Sequence, residues 1–483
     1  RGGEIAKRSG YVPPRAMASL LRAIVDDPTP GPSVTDAPRL ALDAGAATLA
    51  PELRARLEQA FRASYDAERG GFGFGHKYLD GPSVELATAR AVDGDARSAA
   101  MSRGTLDAAL ALIDPVDGGL YQYSTGGVWT EPHFEKLMSF QAEGMAAYAR
   151  AFVTWDEPAY EKAAQAIHRF LRNTLASADG AFFASQDADV VPGEHAASYF
   201  TLGEAERRQR GIPRVDEHRY ARENGWAIRA LATLRASTGD ETALDEAVRA
   251  ARWVVANRSL PGGGFRHDEV DEAGPYLGDT IAMGQAFLAL HQATADREWL
   301  VNAEDASRFI ARVFAAPDLA AGFATVAGAR GPLAPQLPQR EENAAVARFE
   351  NLLFRMTGDV AHRDLAARAM RFLSAPEIAE RAPVAAALLA DREVSAEPAH
   401  VTVVGPKSSA TARSLFLAAL RPAISYARVE WWDPSEGPRP ASDVELPVLD
   451  EPVAFVCADG RCSQPLTTAA EIERRLAPFR PMR

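Results

Sequence analysis

The sequence predicts an all-α toroid of six helical hairpins, an (α/α)6 barrel, followed by a small C-terminal α/β appendage. Three patterns support this fold: a recurring Gly-Gly-aromatic motif, a recurring turn that ends in aspartate, and helical periodicity between the two. Between about Pro51 and about Asp391 we count roughly twelve helical patterns, which make six hairpins. Repeated helix–turn–helix units of this kind form either an open solenoid or a closed ring.

The Gly-Gly-aromatic motif recurs where one hairpin gives way to the next. Its copies, some of them relaxed, are Gly70-Gly71-Phe72, Gly118-Gly119-Leu120, Gly180-Ala181-Phe182, Gly263-Gly264-Phe265 and Gly322-Phe323. Because each copy follows the second helix of its pair, a closed ring would gather these loops around one opening, which an open solenoid would not do. The irregular spacing of the copies, stretched between Phe182 and Phe265, also favours a ring with an inserted loop.

The second motif is a short turn inside each hairpin. Leu231 and Leu234 lie on the apolar face of the helix before one such turn, and Leu244, Ala247 and Trp253 lie on the apolar face of the helix after it. The copies of the turn are Trp155-Asp156, Thr238-Gly239-Asp240, Thr294-Ala295-Asp296 and Thr357-Gly358-Asp359.

The pattern changes near residue 396. A β-branched run begins at His400, the segment Ala410–Leu420 has the pattern of a helix, and two further short strands and a last helix complete a small α/β unit. We therefore place the toroid at 45–395 and the α/β appendage at 396–483.

Composition excludes several classes of function. With 47% hydrophobic and 24% charged residues, the 483-residue chain can bury a large core. A net charge of -12 without a basic patch argues against a nucleic-acid partner. No stretch approaches the ~20 apolar residues that a membrane helix needs, so we expect no membrane span and a cytoplasmic location. No dense metal-binding motif is present, and we expect neither a metal nor another cofactor.

The two cysteines, Cys457 and Cys462, are separated by four residues. This spacing fits neither a thioredoxin-type C-x-x-C nor a zinc site. We expect two reduced thiols, with a local disulfide across a turn as the alternative.

The segment 118–136, GGLYQYSTGGVWTEPHFEK, has the composition of a functional loop, because glycines here accompany aromatic and ionisable residues without helical or strand periodicity. Pro132 fits the first position of a helix. That helix would carry His133, Glu135 and Lys136 in its first turn, at the rim of the opening.

Candidate site residues follow from this loop and its neighbours, since rings stack on sugars and paired acid/base groups move protons. The candidate catalytic residues are His133, Glu135, Asp187 and Asp189. The candidate substrate-binding residues are His76, Lys77, Tyr121, Tyr123, Trp129, Lys136, Glu223, Asn224, Trp226 and Asp279.

Each candidate has a structural alternative. His133 and Glu135 would suit a helix N-terminus, and loop aspartates commonly accept hydrogen bonds within turns. Trp226 fits the core equally well. For Lys136 we favour a buried partner for an acid, or an exposed charge, over direct ligand contact, and for Asp279 we favour a helix N-terminal charge.

Four segments resemble one known family. They are GGFGFGHKY from Gly70, GGLYQYSTGGVWTEPHFEKLMSFQA from Gly118, FFASQDADVVPGE from Phe182 and RENGWAIRALA from Arg222, in this order. Together they resemble the spermatogenesis-associated thioredoxin-like family, over the whole chain. The resemblance implies a thioredoxin-like domain followed by a toroid akin to N-acylglucosamine 2-epimerases and several glycosidases. Residues 1–30 would then be the end of that domain and a linker, most of the domain and any redox dithiol being absent here.

Three functions remain open. The first is an acid/base enzyme, an epimerase, isomerase or hydrolase, acting on a sugar-like ligand in one cavity. The second is a toroid without catalysis that serves as a subunit of a larger assembly with protein partners. The third is a thioredoxin-linked redox protein whose toroid recognises clients.

Overall fold

The computed structural model describes residues 12–27, 29, 46–191, 196–315, 319–327, 338–421, 426–439, 444–458 and 461–476. Helices dominate it. In chain order they are α1 (Pro14–Asp26), α2 (Pro51–Ala63), α3 (Gly81–Val92), α4 (Ala96–Ala109), α5 (Met138–Trp155), α6 (Pro158–Phe170), α7 (Ala197–Phe200), α8 (Glu204–Arg210), α9 (Ala221–Thr238), α10 (Glu241–Arg258), α11 (Leu277–Thr294), α12 (Arg297–Val313), α13 (Arg340–Thr357), α14 (Val360–Leu373), α15 (Pro376–Ala379), α16 (Ala385–Val394), α17 (Ala410–Leu420) and α18 (Ala469–Leu476).

The strands are short and lie in the loops or in the C-terminal appendage. In chain order they are β1 (Tyr123–Ser124), β2 (Pro132–His133), β3 (Lys136–Leu137), β4 (Ser185–Gln186), β5 (Val215–Asp216), β6 (Ser259–Leu260), β7 (Gly264–Phe265), β8 (Ala399–Val404), β9 (Ala427–Trp432), β10 (Val453–Ala458) and β11 (Arg461–Cys462).

The described helices form a closed double ring. Helices α3, α5, α9, α11, α13 and α16 each pack on the next, and α16 packs back on α3, so these inner helices enclose a central channel. Helices α4, α6, α10, α12 and α14 pack outside the inner helix that precedes each of them, and α2 packs outside α16. The structure therefore confirms the (α/α)6 toroid.

Small residues let the inner helices approach one another. A Cβ added to Gly225 on α9 would lie 2.7 Å from the carbonyl carbon of Ala282 on α11, so only glycine fits that contact. The same helices bury Ala227, Leu231 and Ala286 completely. Tight packing here fixes the diameter of the ring, because interiors tolerate no added methyl group without displacement.

The ring closes between its first and last helices. Asp391 on α16 accepts hydrogen bonds from the Arg54 side chain on α2, at 2.6 and 3.2 Å, and from the backbone N–H of Leu49 at 2.8 Å. Because α2 is an outer helix and α16 an inner one, these two helices, from opposite ends of the toroid segment, complete the sixth hairpin.

The two ends of the ring differ. Short turns connect each of the first five inner helices to its outer partner at one end, and longer loops lead to the next inner helix at the other. At four short turns the residue after the inner helix adopts a left-handed conformation, and the following carboxylate caps the outer helix, as the turn motif predicts. These residues are Asp156, Gly239, Ala295 and Gly358.

A repeated clamp fixes the long loops to the inner helices. The amide side chain of Asn224, the fourth residue of α9, accepts a hydrogen bond from the N–H of Phe182 and donates one to its carbonyl oxygen. Asn343 on α13 clamps Phe323 in the same way, and Gln141 on α5 clamps Leu120. The Gly-Gly-aromatic motif is therefore the part of each loop that these clamps hold against the ring.

The appendage is a four-stranded sheet in the order β11-β10-β8-β9, with β8 parallel to β9 and antiparallel to β10. It covers the short-turn end of the ring. The N–H of Val429 on β9 donates to Gln292 on α11, and the Lys407 ammonium donates to the carbonyl oxygen of Ala295 at 2.7 Å.

Two expectations were wrong. Cys457 and Cys462 form a disulfide, because β10 and β11 pair them directly across an antiparallel ladder. Pro132 does not begin a helix: Pro132–His133 is strand β2, which pairs with β1, and α5 begins only at Met138. His133, Glu135 and Lys136 consequently lie in the loop rather than in a helical first turn.

Among the residues described, no helix is both long and apolar enough to span a lipid bilayer. In the N-terminal segment, the described part contains helix α1, none of whose residues is buried. Residues 1–11, which belong to the segment expected to end a thioredoxin-like domain, lie outside the described residues.

Candidate functional site

Three candidates stack at the loop-bearing end of the ring. The Tyr123 ring lies between the imidazoles of His76 and His133, with ring centroids 5.0 Å away on each side and interplanar angles of 29° and 5°. His133 Nδ1 is 3.8 Å from Glu135 Oε2, and both side chains are partly exposed. This stack offers solvent-accessible imidazole and phenol groups at one place.

Glu135 and Asp187 share a small polar cavity of about 110 Å³ with Arg214 and Asp216. The cavity lies where β3, β4 and β5 pair, which brings the first loop and the loop around Asp187 together. Asp187 Oδ1 accepts hydrogen bonds from the N–H groups of Ala188 and Asp189, as a turn aspartate does. Glu135 therefore lies between His133 and Asp187: it is close to His133 and lines the same cavity as Asp187. Asp187 in addition stabilises its own turn.

Lys77 and Lys136 occupy equivalent positions in two Gly-Gly loops. The Lys136 ammonium is fully buried and donates to Asp114 Oδ2 and to the carbonyl oxygen of Gly118, both at 2.8 Å. Lys77 is also fully buried and donates to Asp66 and to the carbonyl oxygens of Gly70 and Gly73. All three N–H donors of Lys77 therefore have partners, and Lys136 uses two of its three donors and lies 4.5 Å from the Phe170 ring centroid. Both lysines hold the loops together.

Three other candidates are buried in the loop framework. Trp129 is 6% exposed, and its Nε1 donates to the carbonyl oxygen of Arg69. Tyr121 packs edge-on against Phe134 and Phe200. Asn224 is the clamp residue of α9 and is fully buried. Their positions support the loops and leave ligand contact to other side chains.

Asp189 lies with Asp187 in the loop after β4. The other candidates, Glu223, Trp226 and Asp279, lie at the ring opening, by which we mean the first two turns of the inner helices. Asp279 at the start of α11 accepts hydrogen bonds from His267 Nδ1 and from the N–H of Arg222, both at 2.9 Å. The Arg222 guanidinium contacts Glu223 and lies 5.0 Å from the Trp226 ring centroid. The hydrogen bond that His267 donates to the Asp279 carboxylate raises the pKa of His267. Glu223, Trp226 and Asp279 thus converge, with His267 and Arg222 added to them.

Two glutamates at the opening have strongly raised pKa values. The Glu143 side chain on α5 is exposed to solvent, but desolvation within the ring opening and the neighbouring Asp80 carboxylate raise its pKa to about 7. Desolvation also raises the pKa of Glu342 on α13 to about 7, although the Thr325 hydroxyl donates to its Oε2 at 2.9 Å. Carboxyl groups with such values can either release or accept a proton near neutral pH.

A tier of charges crosses the channel below the opening. Arg348 on α13 donates to Glu393 on α16, at 2.9 and 2.7 Å, and to Glu85 on α3, at 3.3 and 2.7 Å. Arg150 on α5 is 3.3 Å from Glu85. Arg229 on α9 completes this charged tier. The charged tier borders a cavity of about 330 Å³ that extends to the C-terminal appendage.

Sequence reasoning missed these channel residues, although the sequence holds a signal for them. Polar side chains seven residues apart on one helix lie on the same face, two turns apart. Such pairs occur on the otherwise apolar inner helices, and both members of each pair face the channel or its opening. The pairs are Glu143 and Arg150, Arg222 and Arg229, Gln285 and Gln292.

Comparison with known proteins supports this description. No family model matches the chain. Part of the sequence is 30% identical to human spermatogenesis-associated protein 20 over 144 residues, which is 28% of this chain and 18% of the human protein. The mouse protein of the same name is 30% identical over 150 residues, 30% of this chain and 19% of that protein. The matched stretch thus spans about a fifth of the length of these curated relatives.

Two solved structures share the fold. A D-mannose isomerase superimposes with a TM-score of 0.51 at 14% identity, covering 67% of this chain and 85% of the isomerase. The cellobiose 2-epimerase of Bacillus thermoamylovorans gives a TM-score of 0.51 at 12% identity, covering 67% of this chain and 86% of the epimerase. The resemblance drawn from the motifs is thereby confirmed: the chain is similar in sequence to spermatogenesis-associated protein 20 and in fold to toroidal sugar isomerases and epimerases.

Proposed function

We propose that this toroid is an acid/base enzyme acting on a sugar-like substrate at the ring opening, as an epimerase, an isomerase or a hydrolase. The observation that carries the proposal is the convergence of Glu223, Trp226 and Asp279 at the opening. Two further carboxyls there, Glu143 and Glu342, have pKa values raised to about 7. One protonated and one ionised carboxyl are what such chemistry requires, and both states are accessible here near neutral pH. The solved relatives in fold, a mannose isomerase and a cellobiose epimerase, act on sugars by name.

Other side chains at the opening would bind and orient the substrate. The Trp226 ring offers an apolar face of the kind on which sugar rings stack, and Arg222 beside it offers hydrogen-bond donors for hydroxyl groups. The His76–Tyr123–His133 stack and Glu135 would extend the binding surface along the loops. Lys77, Lys136 and Asn224 have no part in this proposal, because their polar atoms are bound within the fold.

Replacing Glu143 or Glu342 by glutamine is expected to lower kcat by about 100-fold or more, since a positioned proton donor or acceptor contributes that much. The measurement is turnover of D-mannose and cellobiose, followed by NMR for isomerisation and epimerisation, with aryl glycosides as hydrolysis substrates. Glu52→Gln, on the exposed face of α2, is the matched control and should leave kcat unchanged. If the wild-type protein neither converts nor binds any sugar of the panel, the proposal fails.

The pH dependence gives a second test of the same residues. With both carboxyl pKa values near 7, kcat/KM should follow a bell-shaped curve with its maximum near pH 7. Activity falls at lower pH as the base becomes protonated, and at higher pH as the acid ionises. Each glutamine variant should lose one limb of the curve. A profile that is flat from pH 5.5 to 8.5 would contradict the assignment.

A further inference from the structure

The cavity inside the ring has two chemically different parts. All inner helices start at the loop-bearing end, so later residues on each helix lie nearer the appendage. The charged tier of Glu85, Arg150, Arg229, Arg348 and Glu393 therefore borders the part nearer the opening. The part nearer the appendage is lined mainly by small and apolar side chains. These are Ala89, Val92, Val153, Ala232, Ala236, Leu288, Ala289, Leu352, Leu420 and Val429.

The charged tier carries an excess of positive charge. Three arginines face two glutamates there, in a protein whose net charge is -12. Among the described residues, the Arg229 guanidinium lies within ion-pair distance of no carboxylate, and its only hydrogen bond is a 3.4 Å contact with Gln285. Arg150 has a single 3.3 Å contact, with Glu85. Because a guanidinium offers five N–H donors, these two arginines retain donors for an anion.

The apolar part is poorly suited to a polyol. The hydroxyl groups of Thr154 and Thr233, which line it, donate to the backbone carbonyl oxygens of Arg150 and Arg229. The hydroxyl protons of both threonines are therefore bound by the protein itself and are not available to a ligand. A ligand with many hydroxyl groups would leave several of them without partners, which costs binding energy.

We propose that this cavity is a second ligand site, separate from the sugar site at the ring opening, for a small carboxylate with an apolar body. The carboxylate would bind between Arg150 and Arg229, and the apolar body would fill the space against α9, α11 and the appendage. A negative charge complements the positive excess of the lining, to which the exposed Arg421 at the appendage end adds a fourth guanidinium. A volume of about 330 Å³ lies within the usual range for small-molecule sites.

The test is calorimetric titration of the full chain with phenylacetate, with 2-phenylethanol as its uncharged counterpart. We expect phenylacetate to bind at least 10-fold more tightly than 2-phenylethanol, and Arg229→Gln to weaken phenylacetate binding at least 10-fold. Since Arg229 pairs with no described carboxylate, this variant should keep the wild-type circular dichroism spectrum and thermal midpoint. Arg252→Gln, on the exposed side of α10, is the control and should bind as wild type.

A second variant tests the apolar part without touching a charge. Ala236→Phe would place a ring in the space assigned to the ligand body and should abolish phenylacetate binding. Inorganic phosphate should bind more weakly than phenylacetate, because it lacks an apolar body. Equal affinities for phenylacetate and 2-phenylethanol, an unchanged affinity in Arg229→Gln, or no binding of phenylacetate by the wild type would each overturn the proposal.

Discussion

Arg348→Ala is expected to lower the free energy of unfolding by about 4 kcal/mol, the range found when one partner of a buried ion pair is removed. Arg348 holds two carboxylates, Glu85 and Glu393, each through two hydrogen bonds. Without the guanidinium, both carboxylates stay in a partly dehydrated channel with like charge close by. The lost ion pairs are those that connect α13 to α3 and α16, the helices next to the point where the ring closes. Urea denaturation followed by circular dichroism measures it.

Two further variants separate the ion-pair effect from other causes. Arg363→Ala, on the exposed face of α14, removes an arginine whose side chain is 60% exposed, and should change the free energy of unfolding by no more than about 0.5 kcal/mol. The triple variant Arg348→Met, Glu85→Gln, Glu393→Gln should recover part of the lost stability, because neither carboxylate then remains in the channel without the Arg348 guanidinium. If Arg348→Ala is as stable as the wild type, the charged tier does not hold the ring closed.

The ion pairs of Glu85 with Arg348 and Arg150 also make the free energy of unfolding depend on pH. Burial alone would raise the pKa of Glu85, but Arg348 and Arg150 outweigh it and hold that pKa well below the usual value. A carboxyl with a lowered folded-state pKa contributes stability that is complete above its unfolded pKa, about 4.3, and is lost as the pH falls through the folded value. Arg348→Ala should therefore lose less stability than the wild type on acidification below about pH 4.

Lys136→Met is expected to cost about 3 kcal/mol. The Lys136 ammonium is fully buried against the Phe170 ring and donates to Asp114. A methionine side chain is apolar and close in length to a lysine side chain, so the packing around it would be largely kept. The decrease in the free energy of unfolding would then measure the loss of the ion pair. Arg207 also donates to Asp114, at 2.7 Å, so Asp114 keeps a cationic partner in the variant. The expected loss of stability is therefore at the lower end of the range for a broken buried ion pair.

The control for this variant is Lys162→Met, at an exposed site on the outer helix α6, which should change the free energy of unfolding by no more than about 0.5 kcal/mol. Burial lowers the pKa of Lys136, while the Asp114 carboxylate opposes that shift. A stable Lys136→Met protein that has lost sugar turnover would show instead that Lys136 serves the reaction. That outcome would contradict the structural role assigned to it.

The sequence was sufficient for the architecture because the fold is repetitive. The Gly-Gly-aromatic loops and the Asp-ended turns alternate along most of the six hairpins, so their order alone places the loops at one opening. Predictions of local structure were wrong where a local sequence preference competes with strand pairing. Pro132 satisfies the rule for a helix start, yet pairing of Tyr123 with His133 holds this stretch as a strand. The disulfide was missed since a C-x4-C spacing does not reveal that two strands will align the cysteines.

The candidate site residues stay a prediction, and the structure gives several of them a second task. Lys77 and Asn224, in or beside the glycine-rich loops, form hydrogen bonds that hold the loops in shape. Residues that face the channel look ordinary in the sequence, because a single charge on an apolar helix is common. Glu143 and Arg150 become informative only once α5 is known to be an inner helix, since the ring then turns their shared face toward the channel.

The pairing of α2 with α16 also governs when the protein can fold during synthesis. Arg54 and Asp391 are 337 residues apart in the sequence. At about 5–20 residues per second, the ribosome delivers the partner of α2 roughly 20–70 s after α2 itself. Throughout that interval the face of α2 formed by Leu53, Leu57 and Phe61, fully covered in the finished protein, is exposed to water and to chaperones. A circular permutant that begins at α3 and carries α2 after the appendage should shorten this delay, because fewer residues then separate α16 from α2.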